Sequence, residues 1–197
     1  IAPSLVGSEM CIRDSSEWGA DGAIVEGNTF HDTEYLDVWF YLNAYADNVT
    51  VKNNEFTGSS APGYNVYTQD RTTIGLVVDD NTFSNGQEPI YMRGGLDWEI
   101  TDNTIYGDGD ASHIGIATRN GYGIIDGNTL IDADGGILVD QITANQVVNI
   151  TNNDISQSAG RTAPSAVGIW AEDCASSIIN TGGNHQCDGE RIGNRWL

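Results

Sequence analysis

Apolar and polar positions recur along this chain in one fixed frame, at a spacing far longer than a helical turn or a strand alternation. The unit is Val/Ile-x-x-Asn-x-Phe/Ile/Leu, found six times: Val25 to Phe30, Val51 to Phe56, Val78 to Phe83, Ile100 to Ile105, Ile125 to Leu130 and Ile150 to Ile155. A degenerate seventh copy runs through Ile179 to Asn184. The anchors Asn28, Asn54, Asn81, Asn103, Asn128 and Asn153 follow one another by 26, 27, 22, 25 and 25 residues. Self-similarity at such a period marks stacked structural units, each as long as one coil of a solenoid.

Each position of the unit has a physical reason. The two apolar residues flank a bend and point into a shared core from consecutive short strands. The bend needs Asn, which tolerates left-handed backbone better than other residues with a Cβ and can bond neighbouring backbone. With coils stacked at ~4.8 Å, equivalent asparagines would also hydrogen-bond in a ladder. Both the left-handed corner and the ladder are therefore expected at the anchor itself.

A second set of β-rich runs precedes the anchors: Val38–Leu42, Asn65–Gln69, Ile90–Arg93, Ile114–Thr118, Ile137–Asp140 and Val167–Ala171. They are expected to form a long sheet. Alternation puts Val38, Phe40, Val66, Ile90, Met92, Ile114, Ile116, Ile137, Val139, Val167 and Ile169 inside. Trp39, Tyr41, Tyr67, Gln69, Tyr91, Arg93, Gly115, Ala117, Leu138, Asp140, Gly168 and Trp170 then face out. Connectors rich in Gly, Ser and Asp, such as Gly58–Gly63 and Gly107–Ser112, read as loops. An antiparallel sandwich would also show many short strands. It has no reason to repeat one corner in one apolar frame, whereas stacked coils do.

These motifs resemble the right-handed parallel β-helix repeat superfamily, shared by pectate-lyase-like enzymes, alginate epimerases and lyases, phage tailspikes and large surface proteins. The resemblance spans nearly all of residues 20 to 184. It implies an all-β fold: a right-handed, single-stranded parallel β-helix solenoid of about six to seven coils. It is specific for fold and not for chemistry.

Composition agrees with β structure, with 24 Gly and a single Lys among 197 residues. No apolar run approaches the roughly 18 residues of a membrane span. One stretch stands apart. Leu5-Val6-Gly7-Ser8-Glu9-Met10-Cys11-Ile12-Arg13-Asp14-Ser15 resembles a translated sequencing-library adapter, and it lacks the apolar core of a signal peptide. Residues 1–15 are accordingly read as an adapter-derived artefact, and residues 16–197 as a β-helix domain cut at its N-terminal end. Cys11 then drops out, leaving Cys174 and Cys187 as either a disulfide in an oxidising compartment or two free thiols.

The formal charge of −20 changes the choice of partners. So acidic a surface repels phosphate backbones, which argues against nucleic acid and favours cation binding. Asp108, Asp110, Asp132 and Asp134 follow the corners of adjacent coils and offer hard oxygen ligands, which makes calcium the candidate cofactor. Ordinary acidic turns are the alternative. Asn48-Val-Thr50 and Asn149-Ile-Thr151 are sequons, meaningful only in a glycosylating secretory pathway.

In the enzymes this chain resembles, substrate lies across the outward face of one long sheet. The exposed row Trp39, Tyr41, Tyr67, Tyr91 and Trp170 suits stacking against sugar rings, unless it packs under loops. For hydrolysis, two carboxyl groups about 5 to 9 Å apart are needed, and Asp140 with Glu172 on neighbouring coils is the candidate pair, with Asp173 equally available. For a lyase or epimerase, Tyr91, Arg93, His113 and Arg119 form the nearby set of acid, base and cation. Signatures of the related epimerases, polygalacturonases and lyases are absent from the sequence. The expectation is a secreted or cell-surface β-helix protein that binds polysaccharide along an aromatic sheet; a polysaccharide lyase, epimerase or hydrolase and a structural or adhesive stalk are the alternatives.

Overall fold

The computed structural model describes residues 21–31, 36–40, 47–57, 64–69, 73–84, 87–107, 113–133, 135–142, 146–156, 168–172, 178–180, 184–186 and 191–192. Strands come in triplets. The first coil holds β1 (Ile24–Glu26), β2 (Thr29–His31) and β3 (Leu36–Phe40), and the second β4 (Thr50–Lys52), β5 (Glu55–Thr57) and β6 (Tyr64–Gln69). The third holds β7 (Val77–Asp79), β8 (Thr82–Ser84) and β9 (Ile90–Arg93), and the fourth β10 (Leu96–Thr101), β11 (Thr104–Tyr106) and β12 (Ile116–Arg119). The fifth is β13 (Tyr122–Asp126), β14 (Thr129–Ile131) and β15 (Ile137–Asp140), and the sixth β16 (Val147–Thr151), β17 (Asp154–Ser156) and β18 (Ile169–Glu172). β19 (Ile178–Asn180), β20 (Asn184–Gln186) and β21 (Arg191–Ile192) follow.

Each coil gives one strand to each of three sheets. The first sheet runs β1-β4-β7-β10-β13-β16-β19-β20, the second β2-β5-β8-β11-β14-β17, and the third β3-β6-β9-β12-β15-β18-β21. All pairings up to β19 are parallel, which excludes the antiparallel sandwich and establishes the solenoid. Each β-rich run singled out in the sequence gives the third sheet a strand, from β3 to β18, with Ile114 and Gly115 before β12 and with residues 41, 42 and 167 outside the described residues.

The core is a set of vertical columns. Val25, Val51, Val78, Ile100, Ile125 and Ile150 line the first sheet's inner face, and Phe30, Phe56, Phe83, Ile105 and Leu130 the second's. On the third sheet Val66, Ile90, Ile116 and Ile137 are in register and fully buried. The Phe30–Phe56 and Phe56–Phe83 rings stack with centroids 4.7 Å apart, at the coil spacing. Thr68 and Thr118 flank Met92 in the second inner column, two polar residues that alternation of apolar positions alone overlooks. Ile114 sits before β12 and is only half-buried.

The corner differs from the sequence expectation in one respect. The left-handed residue is not the anchor Asn but its predecessor: Gly27, Asn53, Asp80, Asp102, Gly127 and Asn152 have φ between 50° and 68°. These are Gly, Asn or Asp in every coil, the types that enter this region at least cost. The anchors are thereby released for the ladder. In each of Asn28, Asn54, Asn81, Asn103 and Asn128, the backbone N–H and Nδ2 both donate to the Oδ1 of the anchor one coil on, at 2.9–3.1 Å. Nδ2 also reaches carbonyls; Asn103 Nδ2 lies 2.8 Å from Val78 O of the coil before.

The seventh repeat is a second correction. Only its first strand stacks: β19 pairs in parallel with β16, but Asn184 opens β20, which folds back antiparallel on β19. β21 likewise runs antiparallel along β18. Two of the three sheets thus end in a reversed strand.

The coil of 22 residues between Asn81 and Asn103 achieves its brevity through Gly94-Gly95, the sole link between β9 and β10. A bulge at Asp97, with φ 54°, shifts the register between Leu96 and Trp98. It turns the Trp98 ring into the core, 1% exposed. Gly123 is the counterpart, since a Cβ there would stand 2.0 Å from Trp98 O.

Candidate functional site

The third sheet's outer face carries two columns of residues, two positions apart on every strand and therefore on the same side. Register aligns Trp39, Tyr67, Tyr91, Ala117, Leu138 and Trp170 in one. It aligns Gln69, Arg93, Arg119, Asp140 and Glu172 in the other. Asp140 and Glu172 are direct neighbours; Gly115, which alternation assigned outward, is instead buried, and a Cβ there would meet the core residues Leu130 and Ala133. For Trp39, Gln69, Trp170 and Glu172 the described structure extends to the backbone. Tyr41 and Asp173 lie outside the described residues.

At the centre of this face stands an aromatic cluster. Tyr64 stacks on Tyr67 with centroids 4.8 Å apart, and Tyr91 lies 5.1 Å from Tyr64 and 5.5 Å from Tyr67, tilted by about 40°. Tyr67 is only 9% exposed, so its ring supports the other two more than it meets solvent. Tyr64 and Tyr91 are half-buried. Ala117, one coil on from Tyr91, is buried, so the accessible stretch of the column is short.

Beside the tyrosines lies a charged group. Arg119 Nε sits 3.0 Å from Asp140 Oδ2, an ion pair across one coil that lacks the alignment of a hydrogen bond. The Arg119 side chain also hydrogen-bonds the Tyr91 phenol. Burial raises the Tyr91 pKa above that of a free phenol, and Arg119, by its hydrogen bond and charge, pulls in the opposite direction. Arg93 is exposed and Asp140 half-buried.

Glu88, two residues before β9, completes the set. Burial pushes its carboxyl above the usual carboxylate range, while His113 pulls it down. The Glu88 charge is felt at Tyr91 as well. Sequence reading missed Glu88 because it lies in a connector next to Pro89, outside every periodic run. Its proximity to His113 follows from the pairing of β9 with β12.

The proposed calcium ligands are mostly out of reach. Asp108, Asp110 and Asp134 lie outside the described residues; Asp132, half-buried with φ 56°, is a corner residue. Among the described residues no three His, Cys, Asp or Glu side chains converge on one point. Cys11, Cys174 and Cys187 also lie outside them. No helix among the described residues is long and apolar enough to cross a membrane.

Residues 41–185 match the family model described as a right-handed beta helix region. The match fixes the hand of the coils. No curated protein matches the chain significantly. Among solved structures, trypsin-treated QnrB1, a plasmid-mediated fluoroquinolone resistance protein, aligns with 14% identity over 87% of this chain and 92% of that one. At a TM-score of 0.20 this likeness carries no argument.

Proposed function

The chain belongs to the right-handed β-helix family, and from that premise we propose that it binds polysaccharide outside the cell or at its surface, along the outer face of the third sheet. The observation that carries this reading is the alignment of an aromatic column beside one that holds Arg93 and Arg119. Tyr64 and Tyr91 offer ring faces to the apolar side of a sugar. Arg93 and Arg119, neighbours across one coil in a chain of net charge −20, bring two guanidinium groups to this face, that of Arg119 beside Asp140. Guanidinium groups hydrogen-bond carboxylates bidentately, so a polymer bearing carboxylates would find donors here that the rest of an acidic surface lacks.

Affinity electrophoresis against neutral and uronate-containing polymers tests the reading. Uronate polymers should retard the protein more than neutral ones, Tyr91→Ala should abolish retardation, and Arg93→Gln should erase the preference for the charged polymer. Mobility unchanged by every polymer would sink the proposal.

Glu88 favours a second reading, that of a polysaccharide-degrading or epimerising enzyme. A carboxyl whose pKa burial raises, beside His113, and a phenol whose pKa burial raises, beside Arg119, are groups suited to proton transfer. Product release from a uronate polymer that vanishes in Glu88→Gln while binding persists would select this reading; binding without turnover would leave the first.

A further inference from the structure

The outer face of the first sheet holds a second surface, unrelated to the tyrosines and built the opposite way. Ile74, Leu96 and Tyr122 are aligned across three coils, with Val147 next in line beside Val148, the partner of Gly123. Val77 and Ile124 lie in the adjacent outward column, one on each side of Glu99. Ile74, Ile124 and Val147 are 41%, 37% and 39% exposed, although each sits on or beside a regular strand. Ile74, Leu96, Tyr122 and Val147, on neighbouring coils at ~4.8 Å, make a continuous apolar strip rather than scattered points, with Val77 and Ile124 beside it on either side of Glu99.

Carboxylates border this strip. Asp97 is exposed at the bulge on one side, Glu99 is exposed within it, and Asp102 is exposed at the corner on the other side. Asp126 lies in the same border and accepts hydrogen bonds from Thr151 and Asn152, which fix its position without neutralising its charge. Within β1, β4, β7, β10, β13 and β16 the one basic residue is Lys52, and its Nζ is already 3.2 Å from Glu26.

From the strip and its border we infer that this face docks a basic, apolar polypeptide segment, one in which aliphatic residues alternate with Lys or Arg. The charge decides among occupants. A second copy of so acidic a chain, an anionic lipid surface and a nucleic acid would each bring like charge against Asp97, Glu99 and Asp102. A basic segment brings opposite charge to the rim and aliphatic side chains to the strip, the arrangement of an apolar interface centre within a polar border.

Isothermal titration of the full chain with three synthetic peptides tests this, one alternating Leu and Lys, one Ser and Lys, and one Leu and Glu. The Leu/Lys peptide should bind about tenfold or more tighter than the Ser/Lys peptide, and the Leu/Glu peptide should not bind. Ile124→Ser combined with Val147→Ser should weaken the Leu/Lys peptide about tenfold, with an unchanged melting temperature showing that the fold survives. Equal binding of the Leu/Lys and Ser/Lys peptides would reduce the effect to net charge and overturn the inference. Full affinity in the double variant would place the peptide elsewhere and overturn it as well.

Discussion

At the scale of single residues, the anchor asparagines do two jobs that chemistry assigns to different groups. The side chain of Asn103 is fully buried, and its Oδ1 accepts from both the backbone N–H and Nδ2 of Asn81 while its Nδ2 donates to Val78 O. Asn103→Ala strands all of these at once inside a low-dielectric core. A loss of about 2–4 kcal/mol in denaturant unfolding is expected. Loss below about 1 kcal/mol would mean that water replaces the amide. The left-handed corner, by contrast, rests on the preceding residue. The motif showed that Asn was needed, but a single sequence does not separate a dihedral requirement from a hydrogen-bonding one when Gly, Asn and Asp stand beside Asn in every copy. Position relative to the ladder separates them, and that is a property of the stack.

Glu88 makes a residue-scale prediction of a different kind. Its pKa is raised in the folded chain, chiefly by burial, so the folded state holds the proton more tightly than the unfolded state does. The stability this gives is fully present below the unfolded value near 4.5 and is lost as pH rises through the raised folded value. Glu88→Gln removes the penalty of burying a carboxylate. The variant should melt higher than the parent at pH 7 and lose that advantage near pH 4. An advantage unchanged from pH 7 to pH 4 would show that the carboxylate is not the source.

At the scale of elements, a strand of three residues has little stability of its own, and each strand exists because the coils above and below pair with it. β5 illustrates the dependence. Phe56, its one inward residue, is fully buried with a ring stacked on both faces, by Phe30 and Phe83. Phe56→Ala opens a cavity between two coils and removes both ring contacts, for an expected cost of about 3–5 kcal/mol. Phe56→Leu should recover about half, because leucine already fills this column at Leu130. The inward columns were legible in the sequence, since a period-two pattern inside a coil-length period leaves one register that buries the two apolar residues of every motif. The short coil was legible only as a number. That it closes through Gly94-Gly95 and a bulge at Asp97, with Trp98 packed over Gly123, depends on contacts between coils that no local pattern encodes. The candidate site was legible by the same measure: the outward columns follow from alternation, whereas Glu88 lies in a connector and the burial of Tyr67 depends on the rings of Tyr64 and Tyr91 packed against it.

At the scale of the whole molecule, the solenoid carries its charge along its length. Stacking puts like positions ~4.8 Å apart, so one acidic residue type at a recurring outward or corner position becomes a line of negative charge. Asp80 and Asp102 are such neighbours at successive corners, both with left-handed backbone and both exposed. The spacing is well inside the Debye length of about 10 Å at 0.1 M salt, so the repulsion is felt in dilute buffer and fades as ionic strength rises. An ion pair that salt would weaken, Lys52 with Glu26, is partly solvent-exposed and contributes little. Repulsion therefore dominates the electrostatic balance at −20. Raising NaCl from about 10 mM to about 0.5 M should raise the melting temperature by several degrees. A fall instead would mean that ion pairs, and not the acidic lines, set the response of the stack to salt. Neutralising the line at one point should act in the same direction. Asp80→Asn keeps a residue that accepts the left-handed corner while removing one charge, so it should raise the melting temperature in dilute buffer and leave it nearly unchanged at high salt.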